Sequence, residues 1–253
     1  MLKIIISPAK KMNIIDEYPC TVTKPVFSKE AKYLHNILAK MSRSELKELW
    51  RCSDKLTDMN YNRLHTHSLE RNQSPSLLAY EGIQYQYMAP QVFSESEWKY
   101  ASKYLRILSG FYGILRPTDG VVPYRLEMQA KLETELAADL YQFWGRKLYE
   151  RLTEGRSVRN LQIVNLASAE YSRIILPYIT APATCVTCIF GEEIDGKIKV
   201  KGTKAKMARG EMVRWMAEHQ IKNIRDIREF DRLNYRFQEE TSSDNKYVFL
   251  KTV

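Results

Sequence analysis

Residues 105–128 read LRILSGFYGILRPTDGVVPYRLEM, a stretch that crowds charged and polar groups onto a segment punctuated by turn residues. Gly110, Gly113, Pro117, Gly120 and Pro123 keep any long helix or strand from running through it. Proline fixes φ and lacks an amide donor, while glycine turns without steric cost. Arg116, Asp119, Tyr124, Arg125 and Glu127 hang from the resulting loops, and loops held on a rigid scaffold commonly carry function. A plain surface connection with solvated charges accounts for the same composition.

Outward from this stretch, the pattern alternates between strand and helix. Leu2–Ile6, ended by Ser7-Pro8, reads as a buried strand opening a sheet. Ser28–Lys40, Ser42–Trp50 and Ser53–Thr66 read as helices with serine N-caps, the second with a Ser42/Glu45 capping box. Residues 68–90, broken by Pro75 and Gly82, read mostly as loop. A second capping box, Ser94/Glu97, opens a helix expected to run to Ser109. Its apolar side carries Trp98, Ala101, Leu105 and Leu108, its basic side Lys99, Lys103 and Arg106. A solvated face with Glu95 paired to Lys99 explains the basic side equally well.

Glu133–Leu152 is expected as a long helix stopped by Gly155, followed by a strand at Leu161–Asn165 and a small-residue bend to Tyr171. Asp195-Gly196 joins Thr184–Glu193 to Lys197–Lys201 as a hairpin. A helix over Thr203–Gln220, a short one near Asn223–Glu229 and a strand at Tyr247–Thr252 complete the chain. Strands scattered among helices predict one mixed α+β domain over residues 1–253, a central sheet surrounded by helices.

The chain has 253 residues, enough to bury a sizeable core, and a net charge of +9 from 39 basic and 30 acidic side chains. Much of the excess is local: twelve Lys or Arg against five Asp or Glu between Lys197 and Arg236, and six against two between Trp98 and Lys131. Clustered positive charge concentrates polyanions, nucleic acid first, although it also serves solubility. No apolar run approaches the roughly 20 residues of a membrane helix, and the start lacks a signal-peptide pattern. A soluble cytoplasmic monomer, with no membrane contact, is the expectation. Cys185 and Cys188 have C-x-x-C spacing but lie in an alternating run that points them to opposite faces, so neither metal nor other cofactor is expected there. The four histidines show no helical i, i+4 pair.

Six motifs, taken in order, carry a family resemblance: ISPAKKM at 6–12, the 105–128 stretch itself, DLYQFWG from Asp139, NLASAEY from Asn165, AKMARGEM from Ala205, and NYRFQEETSS from Asn234. The chain resembles, nearly end to end, the YaaA family of peroxide-stress proteins. That resemblance implies a link to lowering free intracellular iron, a positively charged cleft, a helix-hairpin-helix element and binding of duplex or distorted DNA. Gln129 and Asn234 stand where the family commonly has glycine, and asparagine tolerates the left-handed backbone that a glycine there implies.

With the resemblance in place, Gly110-Phe-Tyr-Gly113 is a candidate helix-hairpin-helix turn whose amides would hold a phosphate between Arg106 and Arg116, or else a plain corner between two elements. Arg125 and Glu127 on an extended run point the same way, free to pair with each other or, with Glu127 held by Arg116, to leave Arg125 for a ligand anion; Arg116, Tyr124, Arg125 and Glu127 are expected to line one pocket. Asn165, Ser168, Glu170 and Tyr171 follow a strand, where open sheets keep their sites, though Ser168 also suits an N-cap with Glu170 in the first helical turn. Lys206, Arg209 and Gly210 share a helical face, and the glycine implies a close neighbour or a ligand. Two classes of function stay open. One is non-enzymatic DNA binding through Lys99, Lys103, Arg106 and the other basic residues. The other is an enzyme of nucleotide or nucleobase chemistry with Lys10, Glu127, Glu170 and Lys206 as candidate catalytic groups.

Overall fold

The structure is a computed structural model that describes residues 1–155 and 157–252. The strands of its main sheet are β1 (Leu2–Ile6), β2 (Leu105–Ser109), β3 (Gly113–Leu115), β4 (Gln162–Leu166), β5 (Thr184–Ile194), β6 (Lys197–Lys199), β7 (Tyr235–Phe237) and β8 (Lys246–Lys251). They lie in the order β7-β8-β5-β4-β1-β2-β3, with β6 folded back on β5. β8, β5, β4, β1 and β2 are parallel, whereas β3 and β7 close the two edges antiparallel. Every residue of β1 is buried, as an unbroken LKIII run requires of a central strand covered on both faces.

The helices are α1 (Ser28–Lys40), α2 (Arg43–Trp50), α3 (Asp54–Thr66), α4 (Ile83–Met88), α5 (Glu95–Tyr104), α6 (Leu140–Trp144), α7 (Lys147–Thr153), α8 (Ala169–Ser172) and α9 (Gly202–Glu218), with one further turn at Ser76–Ala79. Because helices connect parallel strands, the class is mixed α/β rather than the expected α+β. Both capping boxes form, at Ser42 and at Ser94. At the Asp195-Gly196 turn both residues have positive φ, as a tight hairpin demands, and Asn234 takes the left-handed backbone at φ 63°.

Two long helices come out shorter than the pattern suggests. α5 stops at Tyr104, and Leu105–Ser109 becomes β2, because this run pairs in parallel with Ile4–Ile6 and buries both faces. Trp98 and Ala101 are buried as expected, but Arg106 is a strand residue. The run from Glu133 starts no helix until Leu140, since the Asp139 side chain accepts the Gln142 amide at 2.8 Å and caps α6 there. Gly145, with φ 46°, then separates α6 from α7.

Lys3 on β1 and Arg106 on β2 are both buried, and both reach Glu154 just beyond α7: Lys3 Nζ and Arg106 Nη2 donate to Glu154 Oε1 at 3.0 and 2.8 Å. Burial holds the Lys3 ammonium down to about 8, and the neighbouring Arg106 charge adds to that. Burial alone would raise the Glu154 carboxyl, but the bonds from Lys3 and Arg106 outweigh it and hold it down to about 2. Glu154→Gln is expected to destabilise the chain by about 3–5 kcal/mol, since it strands two buried cations. With an ordinary carboxyl value of 4.5 when unfolded and about 2 when folded, Glu154 contributes stability above pH 4.5 that is lost as pH falls through 2. Urea unfolding between pH 2 and 6 checks this: a Gln variant as stable as the parent, or with an unchanged acid slope, would refute it.

Candidate functional site

β1 and β4 are adjacent and parallel, and the chain leaves their carboxyl ends in opposite directions, from β1 toward β2 and from β4 toward β5. Such a switch point opens a crevice between the diverging loops. Here the loops are Ser7–Lys10 and Ala167–Tyr171, and between them lies a cavity of about 430 Å³. The loops are clasped together. The Ser168 amide donates to Ser7 Oγ at 2.8 Å, the Ser7 hydroxyl to Ser168 Oγ at 3.2 Å, and the Tyr85 hydroxyl to the Ser7 carbonyl at 2.9 Å.

The extended run 124–127 supplies one wall. It is held close by the β2–β3 turn, where a Cβ on Gly110 would stand 2.6 Å from the Leu126 carbonyl. Arg125 and Glu127 project the same way, Arg125 Nη2 lying 3.0 Å from Glu127 Oε1 and Lys10 Nζ 3.4 Å from the same oxygen. Neither contact has hydrogen-bond alignment, so Glu127 Oε1 is buried with no donor aimed at it. Arg125, with a side chain only 8% exposed, also keeps its Nε without an acceptor.

α9 contributes Lys206 and Arg209 to the lining, and α4 contributes Gln84 and Tyr85. Arg209 Nε and Gln84 Nε2 are likewise buried and unpartnered. Tyr85, Tyr124 and Tyr171 give the cavity an aromatic lining. The Tyr124 hydroxyl, bonded to Tyr80 and Ser109 at 2.7 and 2.6 Å, is pushed up to about 12 by burial. Glu170 accepts the Gln129 amide at 3.3 Å. Burial raises its carboxyl above the ordinary value, and the nearby Glu127 charge acts in the same direction.

The structure therefore brings Lys10, Tyr124, Arg125, Glu127, Ser168, Glu170, Lys206 and Arg209 to one cavity. The remaining candidates lie elsewhere. Lys99 is exposed and paired with Glu95 at 2.6 Å, Lys103 sits over the Tyr104 ring, and Arg106 is buried on β2, so these three form no common stripe. Gly110 and Gly113 turn between two antiparallel strands rather than two helices. The amides of Phe111 and Tyr112 are already taken by Ser109 Oγ, which leaves none for a phosphate. Arg116 leaves β3 beside Arg106, away from the cavity. Asn165 is internal, its side chain joining Thr187 Oγ1 to the Ala167 amide and setting the bend.

A Cβ on Gly210 would overlap the Gln84 carbonyl and stand 3.0 Å from the Met88 amide, so this glycine serves the approach of α9 to α4. Tyr171, expected beside Ser168 and Glu170, does line the cavity; Ser7, Gln84 and Tyr85 join it unannounced by their own chemistry, although Ser7 follows a buried strand, the position where switch-point loops begin. Cys185 and Cys188 are free thiols on β5, both raised by burial. Among the described residues no three His, Cys, Asp or Glu side chains gather as a metal site, and no helix is long and apolar enough to cross a membrane.

A mixed α/β protein, its central sheet largely parallel, with a tyrosine-lined crevice carrying charged groups at its switch point is the class that this fold and site define. The chain belongs to the family of the peroxide stress protein YaaA, which its residues 2–241 match. It is similar to UPF0246 proteins of Desulfitobacterium hafniense (50% identity, 100% of this chain and 99% of the relative), Pediococcus pentosaceus (49%, 99% and 98%) and Lactiplantibacillus plantarum (49%, 98% and 99%).

Gly210→Ala gains about 1 kcal/mol of helix propensity but forces α9 away from α4. The expected net effect is a loss of about 1–3 kcal/mol, measured by thermal or urea unfolding; a more stable Ala variant would show that the two helices need not approach this closely.

Proposed function

We propose that this chain serves the peroxide-stress response as an enzyme acting on a nucleotide or nucleobase in the switch-point cavity. One observation carries the reading. Of the nine buried side-chain polar atoms without a hydrogen-bond partner among the described residues, four line this one cavity. Gln84 Nε2, Arg125 Nε and Arg209 Nε are donors and Glu127 Oε1 is an acceptor. Leaving the three donors unpaired costs about 1–3 kcal/mol each, a cost that a ligand with matching acceptors relieves, while the Glu127 oxygen, though flanked by Arg125 and Lys10, still accepts no hydrogen bond. The edge of a nucleobase offers both acceptors and donors. Tyr85, Tyr124 and Tyr171 suit its ring, and Lys10, Lys206 and Arg209 suit a phosphate.

Glu170 is the acid–base group of this reading. Its raised carboxyl keeps a proton available nearer to neutral pH than an exposed glutamate would, and it lines the same cavity as Lys206 and Arg209 of α9. Binding of duplex or distorted DNA is the second reading, drawn from the +9 net charge and from Lys10 and Lys206, which are exposed on the cavity lining. An unstacked nucleotide of such DNA would enter the same cavity. The link to free iron is proposed to follow from the stress role, not from a metal-ligand cluster.

Calorimetric titration with nucleobases, nucleosides and 5′-nucleotides tests the reading. Nucleotides are expected to bind more tightly than nucleosides. Joint Lys206→Met and Arg209→Met substitution is expected to weaken nucleotide binding by about tenfold or more, since 1.4 kcal/mol is tenfold. It should not reduce stability, because Arg209 Nε has no partner to lose. Glu170→Gln is expected to retain binding and lose turnover. Failure of every such compound to bind, with salt-sensitive binding of a random duplex, would replace this reading by the second one.

A further inference from the structure

Away from that cavity, the amino end of β2 and the carboxyl end of β3 bring two arginines together. The antiparallel register sets Ile107 against Leu115, so the next step along the hairpin faces Arg106 toward Arg116. Like charges in that relation repel; burial, first, holds the Arg106 and Lys3 side chains below their ordinary values, and the Arg116 charge adds a lesser push in the same direction. Arg151 of α7 and Lys24 reach the same small cleft, of about 40 Å³. Asp119 also lines the cleft, where it feels the Arg116 and Arg106 charges, and Glu154 stands beside Arg106, but among the described residues the hydrogen bonds of both carboxylates go to groups other than the Lys24, Arg116 and Arg151 side chains. Glu154 accepts from Lys3 and Arg106, and Asp119 accepts the Arg116 backbone amide at 2.8 Å and the Thr23 hydroxyl at 2.7 Å. Among the described residues, the side chains of Lys24, Arg116 and Arg151 have no carboxylate within ion-pair reach.

We propose that this cleft, at the amino end of β2 and the carboxyl end of β3, is a second anion site that binds one phosphate group through Arg106, Arg116, Arg151 and Lys24. Four cations converge on a space that holds about three water-sized bodies, which suits a single tetrahedral oxyanion and excludes a nucleobase. Arginine forks match phosphate oxygens two at a time. The 6% exposure of the Arg106 side chain, fixed by Leu105 O, Ser102 O and Glu154, makes the floor rigid. A phosphate bound here would offset the Arg106–Arg116 repulsion and tie α7 to the edge hairpin. The site stands independently of the cavity at the other end of the sheet.

The test is titration of the full chain with inorganic phosphate, followed by calorimetry and thermal unfolding. Phosphate is expected to bind and to raise Tm, where chloride at equal ionic strength does not. Joint Arg116→Met and Arg151→Met substitution is expected to weaken binding by at least about tenfold. Lys24→Met, on an exposed side chain that cannot unfold the chain, should weaken it severalfold, and Lys206→Met with Arg209→Met should leave it in place. Competition by glycerol 3-phosphate would identify a phosphate ester as the natural occupant, and its absence the free ion. Failure of phosphate to bind overturns the proposal, as does binding that survives the Arg116/Arg151 and Lys24 substitutions but vanishes with the Lys206/Arg209 pair.

Discussion

The parallel pairing of β1 with β2 on one side and β4 on the other is the constraint on which the rest of the molecule depends. A five-residue strand buried on both faces cannot alternate polar and apolar side chains, and all but one of its residues are aliphatic. The exception, Lys3, is tolerated because Glu154 meets it. The divergence of the chain from the carboxyl ends of β1 and β4 creates the cavity. The amino end of β2 and the carboxyl end of β3, at one edge of the sheet, gather the second set of arginines. Two chemically distinct places thus follow from one arrangement of strands.

Much of the architecture was legible in the sequence where a local signal and the final packing agree. The capping boxes at Ser42 and Ser94, the Asp195-Gly196 turn, the run of α9 and the common direction of Arg125 and Glu127 all depend on residues close in sequence. The failures lie where distant pairing overrides local pattern. Leu105–Ser109 continues the apolar period of α5, yet Ile4–Ile6 recruits it into the sheet; in doing so it converts Arg106 from a surface charge into a buried one. Asp139 is both a plausible helix residue and a cap, and it acts as a cap. Nothing about Gln84 marks it as part of a site, because its position depends on the contact of α4 with Gly210.

The distribution of charge shows why a net excess of basic residues is a poor guide to a surface. Much of the positive charge between Trp98 and Lys131 is not offered to solvent as a patch: Arg106 and Arg125 are buried, and Lys99 is neutralised by its helix neighbour. What distinguishes the cavity is the unmet hydrogen-bonding capacity of its buried groups rather than the number of its cations.

The clasp between Ser7 and Ser168 spans 161 positions of the chain, and that separation bears on how the molecule is made. On the ribosome β1 emerges first, but its partners are β2, about a hundred residues later, and β4, which begins at Gln162. Until both have emerged, the most apolar strand of the protein has two open edges, the condition under which nascent chains associate wrongly. The helices α1–α3, built from local contacts, fold early and quickly. The cavity belongs to the last stage of synthesis, so a truncated chain that stops short of β4 would contain helical structure and no functional site.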